Sequence, residues 1–240
     1  MKSQKALSAS RRNLMKWGLC GFGGLMLATL PKVATAQSSR SNTLTFNADD
    51  IGILNFALLL EELEAAFYAA VADSGKVTDS KEAEYMKVLG AQEAAHVTFL
   101  RSVLGAQTLF ATEDISFNQD GLDAILTDRD KILNTAVALE DVGVHAYNGA
   151  GPSLKNPTYL LAAGSIVSVE ARHAAGVRAL LGRSTTEPDS DRLVKDADLA
   201  ADLNPFKGKA YDELYTPKQI VAIVASLNLI NNPINGALVA

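Results

Sequence analysis

The sequence predicts an all-α protein built on a four-helix bundle of two duplicated helix pairs. Four long segments carry apolar residues at helical spacing, and glycine or proline signals separate them. The chain has no strand-rich region with alternating apolar residues. A long aperiodic stretch between the second and third segments, residues 106–127, is typical of a bundle with one crossover connection.

The first helix is predicted over residues 50–72, after an asparagine or aspartate cap. A Ser-Gly break at 74–75 precedes a second helix that ends near residue 103, so these two are antiparallel neighbours. The crossover contains one predicted helical turn at 122–126. A third helix is predicted over residues 128–148, and the glycine and proline signals that follow start a fourth, which runs to about residue 181. One more short helix is predicted at 217–227.

The N-terminal residues predict a twin-arginine export signal. Residues 10–16 read SRRNLMK, an apolar run follows at 17–30, and Ala-Thr-Ala at 34–36 predicts cleavage after Ala36. An uncleaved anchor is disfavoured because the apolar run is short and rich in glycine, and lipidation of Cys20 because Leu19 occupies a small-residue position. The predicted divisions are therefore a signal peptide at 1–36, the bundle at 37–183 and a C-terminal extension at 184–240 that packs on it. The twin-arginine translocase is the expected partner, and the periplasm or the exterior the expected location.

The composition of the exported chain excludes several function classes. Removal of the six basic residues of the leader from the total of 22 leaves 16 against 27 acidic residues, a net charge of −11. This charge disfavours nucleic-acid binding. The single cysteine leaves with the leader, so only oxygen and nitrogen atoms remain to bind a metal. No stable membrane span is expected after cleavage.

Two glutamate–histidine pairs and two glutamate–tyrosine pairs form a repeated pattern. Glu93 and His96 are three residues apart on the second helix, as are Glu170 and His173 on the fourth, so the offset between the two glutamates equals that between the two histidines. The other helices carry a glutamate seven residues before a tyrosine, again with equal offsets between the two copies: Glu61 and Tyr68, then Glu140 and Tyr147. Each pair lies on one helix face, so the pattern predicts a duplicated metal site.

The number of carboxylates predicts two ions. Four buried carboxylates are strongly unfavourable together, whereas two divalent cations balance their four negative charges. Mixed carboxylate and imidazole ligands favour two iron ions, with two manganese ions as the alternative, over a closed structural zinc site.

These residues resemble the ligand set of the ferritin-like di-iron carboxylate proteins, whose relatives include rubrerythrin, bacterioferritin and the dimanganese catalases. The resemblance covers about residues 45–183. The segments LLLEELEAAFY, AQEAAHVTFLRSVLG and LEDVGVHAYNGAGP are similar in particular to exported bacterial ferritin-like proteins related to plant desiccation-related proteins. The resemblance to the di-iron carboxylate proteins implies that Glu93 and Glu170 bridge the metals and that Glu61 and Glu140 are terminal ligands. It further implies that one histidine completes the ligand set of each ion. It also implies that Tyr68 and Tyr147 donate hydrogen bonds to ligand carboxylates.

Two residues near this pattern leave alternatives open. Glu64 lies near the same face as Glu61 and competes for the role of first-helix ligand. We favour Glu61 because it matches Glu140 in the repeat, whereas the counterpart of Glu64 is Gly143; Glu64 is then an extra ligand or a hydrogen-bonding neighbour. His145 points off the ligand face and is assigned to a supporting or surface role.

A buried pair of redox-active ions predicts oxidation of ferrous iron by dioxygen or peroxide, or removal of peroxide. The alternatives are a metal-binding stress-protection protein without turnover and a dimanganese catalase. An iron-storage cage is disfavoured because the long crossover and the C-terminal extension depart from a compact ferritin subunit. The oligomeric state is open.

Overall fold

The computed structural model describes residues 43–186 and 212–240. The predicted signal peptide, its cleavage site and Cys20 lie outside the described residues, as do residues 187–211 of the predicted extension, so those expectations stay predictions. Within the described ranges, no helix combines the length and the apolar composition that crossing a membrane requires.

Six helices are present in the described part of the chain, and four of them form the bundle. They are α1 (Asp50–Ser74), α2 (Ser80–Leu104), α3 (Gln119–Ile125), α4 (Arg129–Ala150), α5 (Pro157–Leu180) and α6 (Pro217–Leu227). The helix α1 packs along α2, and α4 packs along α5, while α1 and α4 join the two pairs. The predicted all-α bundle is confirmed, with each long helix ending within a few residues of its predicted bounds. The crossover contains two single turns of 3-10 helix, Gly105–Gln107 and Thr112–Asp114, before α3.

The helix caps repeat along the chain with the same spacing as the candidate ligands. Asp49 caps α1 and Asp128 caps α4, at the offset that separates Glu61 from Glu140. The α2 cap Asp79 and the α5 cap Asn156 show the offset of the two glutamate–histidine pairs. Each cap side chain accepts a hydrogen bond from a backbone N–H that has no partner inside its helix. The duplication therefore extends from the centre of each bundle helix to its first turn.

The C-terminal segment packs against the bundle along α4. The strand β2 (Ile234–Asn235) pairs in parallel with β1 (Leu44–Thr45), which precedes α1. The helix α6 lies on α4, and the buried Tyr215 precedes it. Gly149 permits this approach, because a Cβ atom there would lie 2.0 Å from the carbonyl oxygen of Tyr215.

Large aliphatic side chains surround a polar layer in the middle of the bundle. On α1, Leu58, Leu59 and Leu63 are fully buried on either side of Glu61. On α4, Ile132 and Leu133 are equally buried ahead of Glu140 in sequence. Such burial stabilises by about 1.5–3 kcal/mol per side chain, which offsets the cost of placing carboxylates in the same interior.

Candidate metal centre

The structure brings together all six side chains that the sequence predicts as ligands. They come from the middle of each long helix: Glu61 from α1, Glu93 and His96 from α2, Glu140 from α4, and Glu170 and His173 from α5. All four glutamates are at most 1% exposed, and His173 is 4% exposed. His96 is only partly buried. Metal binding by these six residues stays a prediction that this arrangement permits.

The six residues form two clusters that share two members. One cluster contains Glu61, Glu93, His96 and Glu170, and its four ligand atoms lie within 4.8 Å of one another. The other contains Glu93, Glu140, Glu170 and His173 at the same spacing. Glu93 and Glu170 belong to both clusters, as expected for carboxylates that lie between two ions.

Each histidine turns its Nδ1 atom toward the carboxylates. His96 Nδ1 lies 3.1 Å from Glu61 Oε2, 2.9 Å from Glu93 Oε2 and 3.2 Å from Glu170 Oε1. His173 Nδ1 lies 2.7 Å from Glu93 Oε1 and 3.2 Å from Glu140 Oε2. The two rings stack at 25° with their centroids 6.4 Å apart. Both imidazoles therefore present the same nitrogen atom to the same carboxylate layer.

The two tyrosines donate hydrogen bonds across the bundle. Tyr68 on α1 donates to Oε1 of Glu140 on α4. Tyr147 on α4 donates to Oε1 of Glu61 on α1, at 2.5 Å. Each tyrosine thus holds a glutamate of the opposite helix pair, and one oxygen of that glutamate, Oε2, remains directed at a histidine.

The carboxylates of the centre have strongly displaced pKa values. Burial raises the pKa of Glu61 to about 8, although the hydrogen bond to His96 opposes this shift. Burial also raises the pKa of Glu140 and of Glu170. Glu93 differs: burial acts to raise its pKa, but hydrogen bonds from His173 and His96 lower it to about 2. In the metal-free site, one shared carboxylate is therefore firmly ionised while the others retain protons more readily.

The histidine pKa values move in the opposite direction to the one that burial favours. Burial acts to lower the pKa of His96, but hydrogen bonds with Glu170, Glu61 and Glu93 raise it to about 12. For His173, hydrogen bonds with Glu140 and Glu93 overcome burial and raise the pKa to about 10. Two imidazolium groups therefore balance part of the buried negative charge in the absence of metal.

The atoms of the shared glutamates fit a metal centre. Among the described residues, Oε2 of Glu170 is buried and accepts no hydrogen bond, while Oε1 of Glu93 and Oε1 of Glu170 each have a histidine Nδ1 atom as neighbour, at 2.7 and 3.2 Å. Buried polar atoms in native proteins almost always have a partner, and one Nδ1 atom has at most one proton to donate to the two or three carboxylates around it. The shared glutamates therefore have more buried oxygens than the histidines can satisfy. Cations bound between the two clusters would satisfy these oxygens. The donor set of carboxylate oxygens and imidazole nitrogens fits iron or manganese.

Comparison with known families agrees with this arrangement. The sequence model of the ferritin-like domain matches residues 49–183, which is more than half of the chain. This protein belongs to the ferritin-like domain family. The match covers all four bundle helices and the whole candidate centre. No curated protein matches the sequence.

Glu64 adds a further buried carboxyl to this ferritin-like centre. Glu64 is 2% exposed, and its Oε1 atom accepts no hydrogen bond from the described residues. Its pKa is raised well above the ordinary value by burial and by the charges of Glu170, Glu61, Glu140 and Glu93. Glu64 belongs to neither four-residue cluster, whereas Glu61 belongs to one of them. The repeat also favoured Glu61 over Glu64 as the first-helix ligand. The counterpart Gly143 leaves room for Glu170, since a Cβ atom there would lie 2.9 Å from Glu170 Oε2.

Two ion pairs involve the residues next in sequence to the candidate terminal ligands of the ferritin-like centre, and the sequence pattern did not predict them. Arg101 on α2 donates to Glu62 on α1, through Nε at 3.0 Å and Nη2 at 2.5 Å. Arg178 on α5 donates to Asp141 on α4 at 2.6 Å. Asp141 is the repeat counterpart of Glu62 and Arg178 that of Arg101, so the spacing that relates the ligands also relates these pairs. Each acid directly follows a candidate terminal ligand and ties that helix to its neighbour.

Two other polar contacts distinguish residues near the centre. His145 is buried, and its ring contacts the C-terminal segment through the Glu213 carbonyl oxygen, 2.8 Å from Nδ1, and the Tyr215 ring. This is a supporting contact, and the surface alternative for His145 is wrong because the C-terminal segment covers it.

The repeated sequence pattern did not predict a role for Gln92. Its Oε1 atom lies 2.5 Å from Nε2 of His173. Gln92 has no polar counterpart in the repeat, so the pattern that located the ligands gave no signal for it.

Proposed function

We propose that this protein holds two iron ions and uses them for redox chemistry, oxidising ferrous iron or consuming peroxide. The observation that carries the proposal is the overlap of the two four-residue clusters through Glu93 and Glu170. A carboxylate has two oxygen atoms, so each shared glutamate can serve both metal positions. A site for a single ion would not need two shared carboxylates flanked by a separate glutamate and histidine on each side.

Charge balance supports two ions. The two clusters contain four glutamates and two histidines, with a fifth carboxyl, Glu64, close by. The metal-free protein reduces the repulsion by keeping protons on carboxylates and on both imidazoles. Metal ligation needs neutral histidine and ionised glutamate, so cation binding would displace these protons. Binding should therefore release protons and become tighter as the pH rises.

The donor atoms favour iron, with manganese as the alternative. Cys20 is the only cysteine of the sequence and falls in the predicted signal peptide, so the exported chain has no thiolate ligand. Carboxylate and imidazole ligands suit both iron and manganese. Two iron ions, when bound, supply a pair of electrons for reduction of an oxidant.

The chain itself orients the ligands and excludes water. Tyr68 and Tyr147 each bind one oxygen of a terminal glutamate and leave the other oxygen directed at the cluster. Second-sphere hydrogen bonds of this kind fix the orientation of metal ligands. The buried leucines of α1 surround Glu61 and keep the centre dry, which strengthens every electrostatic interaction inside it.

The overall reaction transfers electrons from ferrous iron to the oxidant, two to each peroxide molecule or four to each dioxygen molecule. Two ferrous ions supplied as substrate each lose one electron, and one hydrogen peroxide molecule accepts both electrons and two protons to leave as two water molecules. With dioxygen as oxidant, four ferrous ions and four protons are consumed for each molecule reduced to water. The role of the chain is to bind the metal and to hold protons at the carboxyl and imidazole groups whose pKa values are raised.

The test combines metal analysis with oxidant consumption. Protein purified without oxygen should bind two ferrous ions per chain. Addition of further ferrous iron should then consume dioxygen or peroxide in the stated ratios. Binding of fewer than about one metal per chain would rule out the dinuclear site, and two bound ions without turnover would rule out the oxidase. Vigorous oxygen release from peroxide by manganese-loaded protein would favour a dimanganese catalase.

A non-catalytic metal-binding role in stress protection is the second candidate. The observation that favours it is the cost of the metal-free centre, in which burial raises the pKa of Glu61, Glu64, Glu140 and Glu170. Ions that relieve this cost would stabilise the bundle without any turnover. A large rise in the thermal midpoint with redox-inactive zinc, combined with no oxidant consumption by iron-loaded protein, would identify this role.

The sequence of the first 36 residues supports export by the twin-arginine translocase to the periplasm or beyond. This route carries folded proteins, so the centre would be loaded with metal before export. The resemblance to exported proteins related to plant desiccation-related proteins supports the same location. Replacement of Arg11 and Arg12 by lysine should retain a precursor in the cytoplasm, and cell fractionation with mass measurement of the N-terminus would test both transport and cleavage after Ala36.

A further inference from the structure

The two histidines of the centre differ in the contacts of their outer ring nitrogen. Nε2 of His173, on α5, lies 2.5 Å from Oε1 of Gln92, on α2. Nε2 of His96 has no hydrogen-bonding protein group among residues 43–186 and 212–240. The repeat places Val169 at the position equivalent to Gln92, and a valine side chain has no polar atom. The two halves of the centre therefore hold equivalent ligands with unequal support.

The contact with Gln92 selects one form of the His173 ring. An amide oxygen only accepts hydrogen bonds, so Nε2 of His173 carries a proton and donates it to Gln92. In neutral imidazole the lone pair is then on Nδ1, the atom that faces Glu93 and Glu140. His173 is thus held in the tautomer and the orientation that a metal ligand requires.

We propose that Gln92 is a positioning residue for His173 and strengthens metal binding selectively at the position that Glu140 and His173 form. This inference rests on the metal centre proposed above. Hydrogen bonds to the outer nitrogen of a ligating histidine are worth about 10–100-fold in metal affinity, because they fix the ring and increase its basicity. The position formed by Glu61 and His96 receives no such support from the described residues.

The surroundings of Gln92 allow the proposal to be tested without loss of the fold. Gln92 is exposed, whereas His173 is buried, so the glutamine reaches inward from the surface of α2. Substitution of Gln92 by leucine retains a helix-forming side chain of similar size and removes the acceptor. Substitution by glutamate retains an oxygen that accepts the same hydrogen bond.

The experiment measures the two metal positions one at a time. In a His96→Ala background only the Glu140–His173 position keeps its histidine, and in a His173→Ala background only the Glu61–His96 position does. Titration with cobalt(II), followed by visible absorbance, should show that Gln92→Leu weakens binding about 10–100-fold in the first background. In the second background the change should be less than about twofold. Gln92→Glu should restore tight binding in the first background.

The tautomer itself provides a readout that loss of packing alone would not change. In zinc-loaded protein, nitrogen-15 NMR of the histidines should show a protected Nε2–H on His173. Gln92→Leu should make that proton exchange faster and leave the signals of His96 unchanged. A His173 ring that retains the same protected proton in Gln92→Leu would contradict the positioning role.

The outcomes separate this inference from the proposed function. If the unsubstituted protein binds two cobalt ions and Gln92→Leu weakens both backgrounds equally or neither, only the positioning role of Gln92 fails. If the unsubstituted protein binds no cobalt, both the metal centre and this inference fail. Selective weakening in the His96→Ala background, with rescue by glutamate, supports the inference.

Discussion

The two helix pairs of the bundle carry the same candidate ligands but differ in the side chains around them. The pair α1 and α2 contributes Glu64 and Gln92, whereas the pair α4 and α5 has Gly143 and Val169 at the equivalent positions. The glutamates, histidines, tyrosines, helix caps and supporting ion pairs are all repeated. Groups that would touch a metal, or that orient a candidate ligand carboxylate, are thus present in both halves. The surrounding residues differ between the two halves, so the two candidate metal positions are not equivalent.

The largest expected effect is a loss of bound metal, which should differ between a glutamate that belongs to both clusters and one that belongs to a single cluster. Glu170 belongs to both clusters, whereas Glu140 belongs to one. We expect Glu170→Gln to lower the metal content from two ions per chain to nearly none, because both positions lose a charged ligand. Glu140→Gln should remove one ion and leave the Glu61–His96 position filled. Elemental analysis after loading with ferrous iron without oxygen would measure both.

A folding control accompanies these two variants. Glutamine has nearly the shape of glutamate, so both proteins should keep the helical circular dichroism of the unsubstituted chain. Two ions retained in Glu170→Gln would show that Glu170 is not shared between the metal positions.

The next largest effect compares the two supporting ion pairs. The Arg178 and Asp141 side chains are 8% and 9% exposed, whereas Arg101 is 27% exposed. Arg178→Met should destabilise the protein by about 3 kcal/mol, because it removes the guanidinium beside a buried carboxylate. Arg101→Met should cost about 1 kcal/mol, since Glu62 keeps a hydrogen bond from Thr112 and the more exposed pair is worth less. Urea unfolding of the metal-loaded proteins would measure the difference. Equal losses would show that burial does not distinguish the two pairs.

The sequence predicted the bundle and its candidate centre because both repeat. Helical spacing located the long helices, and two constant offsets along the chain matched the glutamates, histidines and tyrosines of the two halves. The same offsets would have identified the pairs Glu62–Arg101 and Asp141–Arg178, but a surface salt bridge and a supporting one have the same pattern in sequence. The burial of Asp141 and Arg178 in the structure shows that their ion pair lies in the interior and not on the surface.

The features that differ between the halves could not be predicted in this way. Gln92 is an exposed residue without a repeated partner, and its contact with His173 depends on how α2 and α5 face one another. Whether Glu64 reaches the centre depends on the direction in which its side chain points from the axis of α1. A spacing of three residues from Glu61 places Glu64 near the same face but does not fix this direction. The sequence repeat identifies the residues that the two halves share. The contacts that differ between the halves are seen only in the three-dimensional structure.

The pH dependence should reverse between the metal-free and the metal-loaded protein. The pKa of Glu61 rises from an ordinary value of 4.5 to about 8, and that of His173 from 6.5 to about 10. Between these limits the folded protein binds protons that the unfolded chain has released, so the stability of the metal-free protein should fall as the pH rises from about 5 to 9. The stabilisation by metal should increase over the same range, because fewer protons compete for the ligands.

The two halves should also titrate differently in the metal-free protein. The pKa of His96 is raised further than that of His173, to about 12, so His173 should lose its proton first. Histidine NMR from about pH 8 to 12 would measure the order of proton loss, and urea unfolding between pH 5 and 9 would measure the change in stability. Metal-free protein that becomes more stable between pH 5 and 9 would contradict the charge arrangement described for the centre.

The smallest expected effect concerns Glu64 and its counterpart Gly143. Without metal, Glu64 adds one more buried carboxyl to a cluster that already repels negative charge, and the charges of Glu170 and Glu61 help to raise its pKa. Glu64→Gln should therefore stabilise the metal-free protein by about 1 kcal/mol at pH 8, because the amide is neutral without taking up a proton that the unfolded glutamate has released. Gly143→Ala is the matched change in the other half. Its new Cβ atom would lie 2.9 Å from Glu170 Oε2, so it should displace that carboxylate and weaken metal binding without the gain in metal-free stability. Thermal unfolding with and without zinc would test both. A loss of metal-free stability in Glu64→Gln would mean that the Glu64 carboxylate stabilises the empty bundle, and the two halves would then differ in packing rather than in charge.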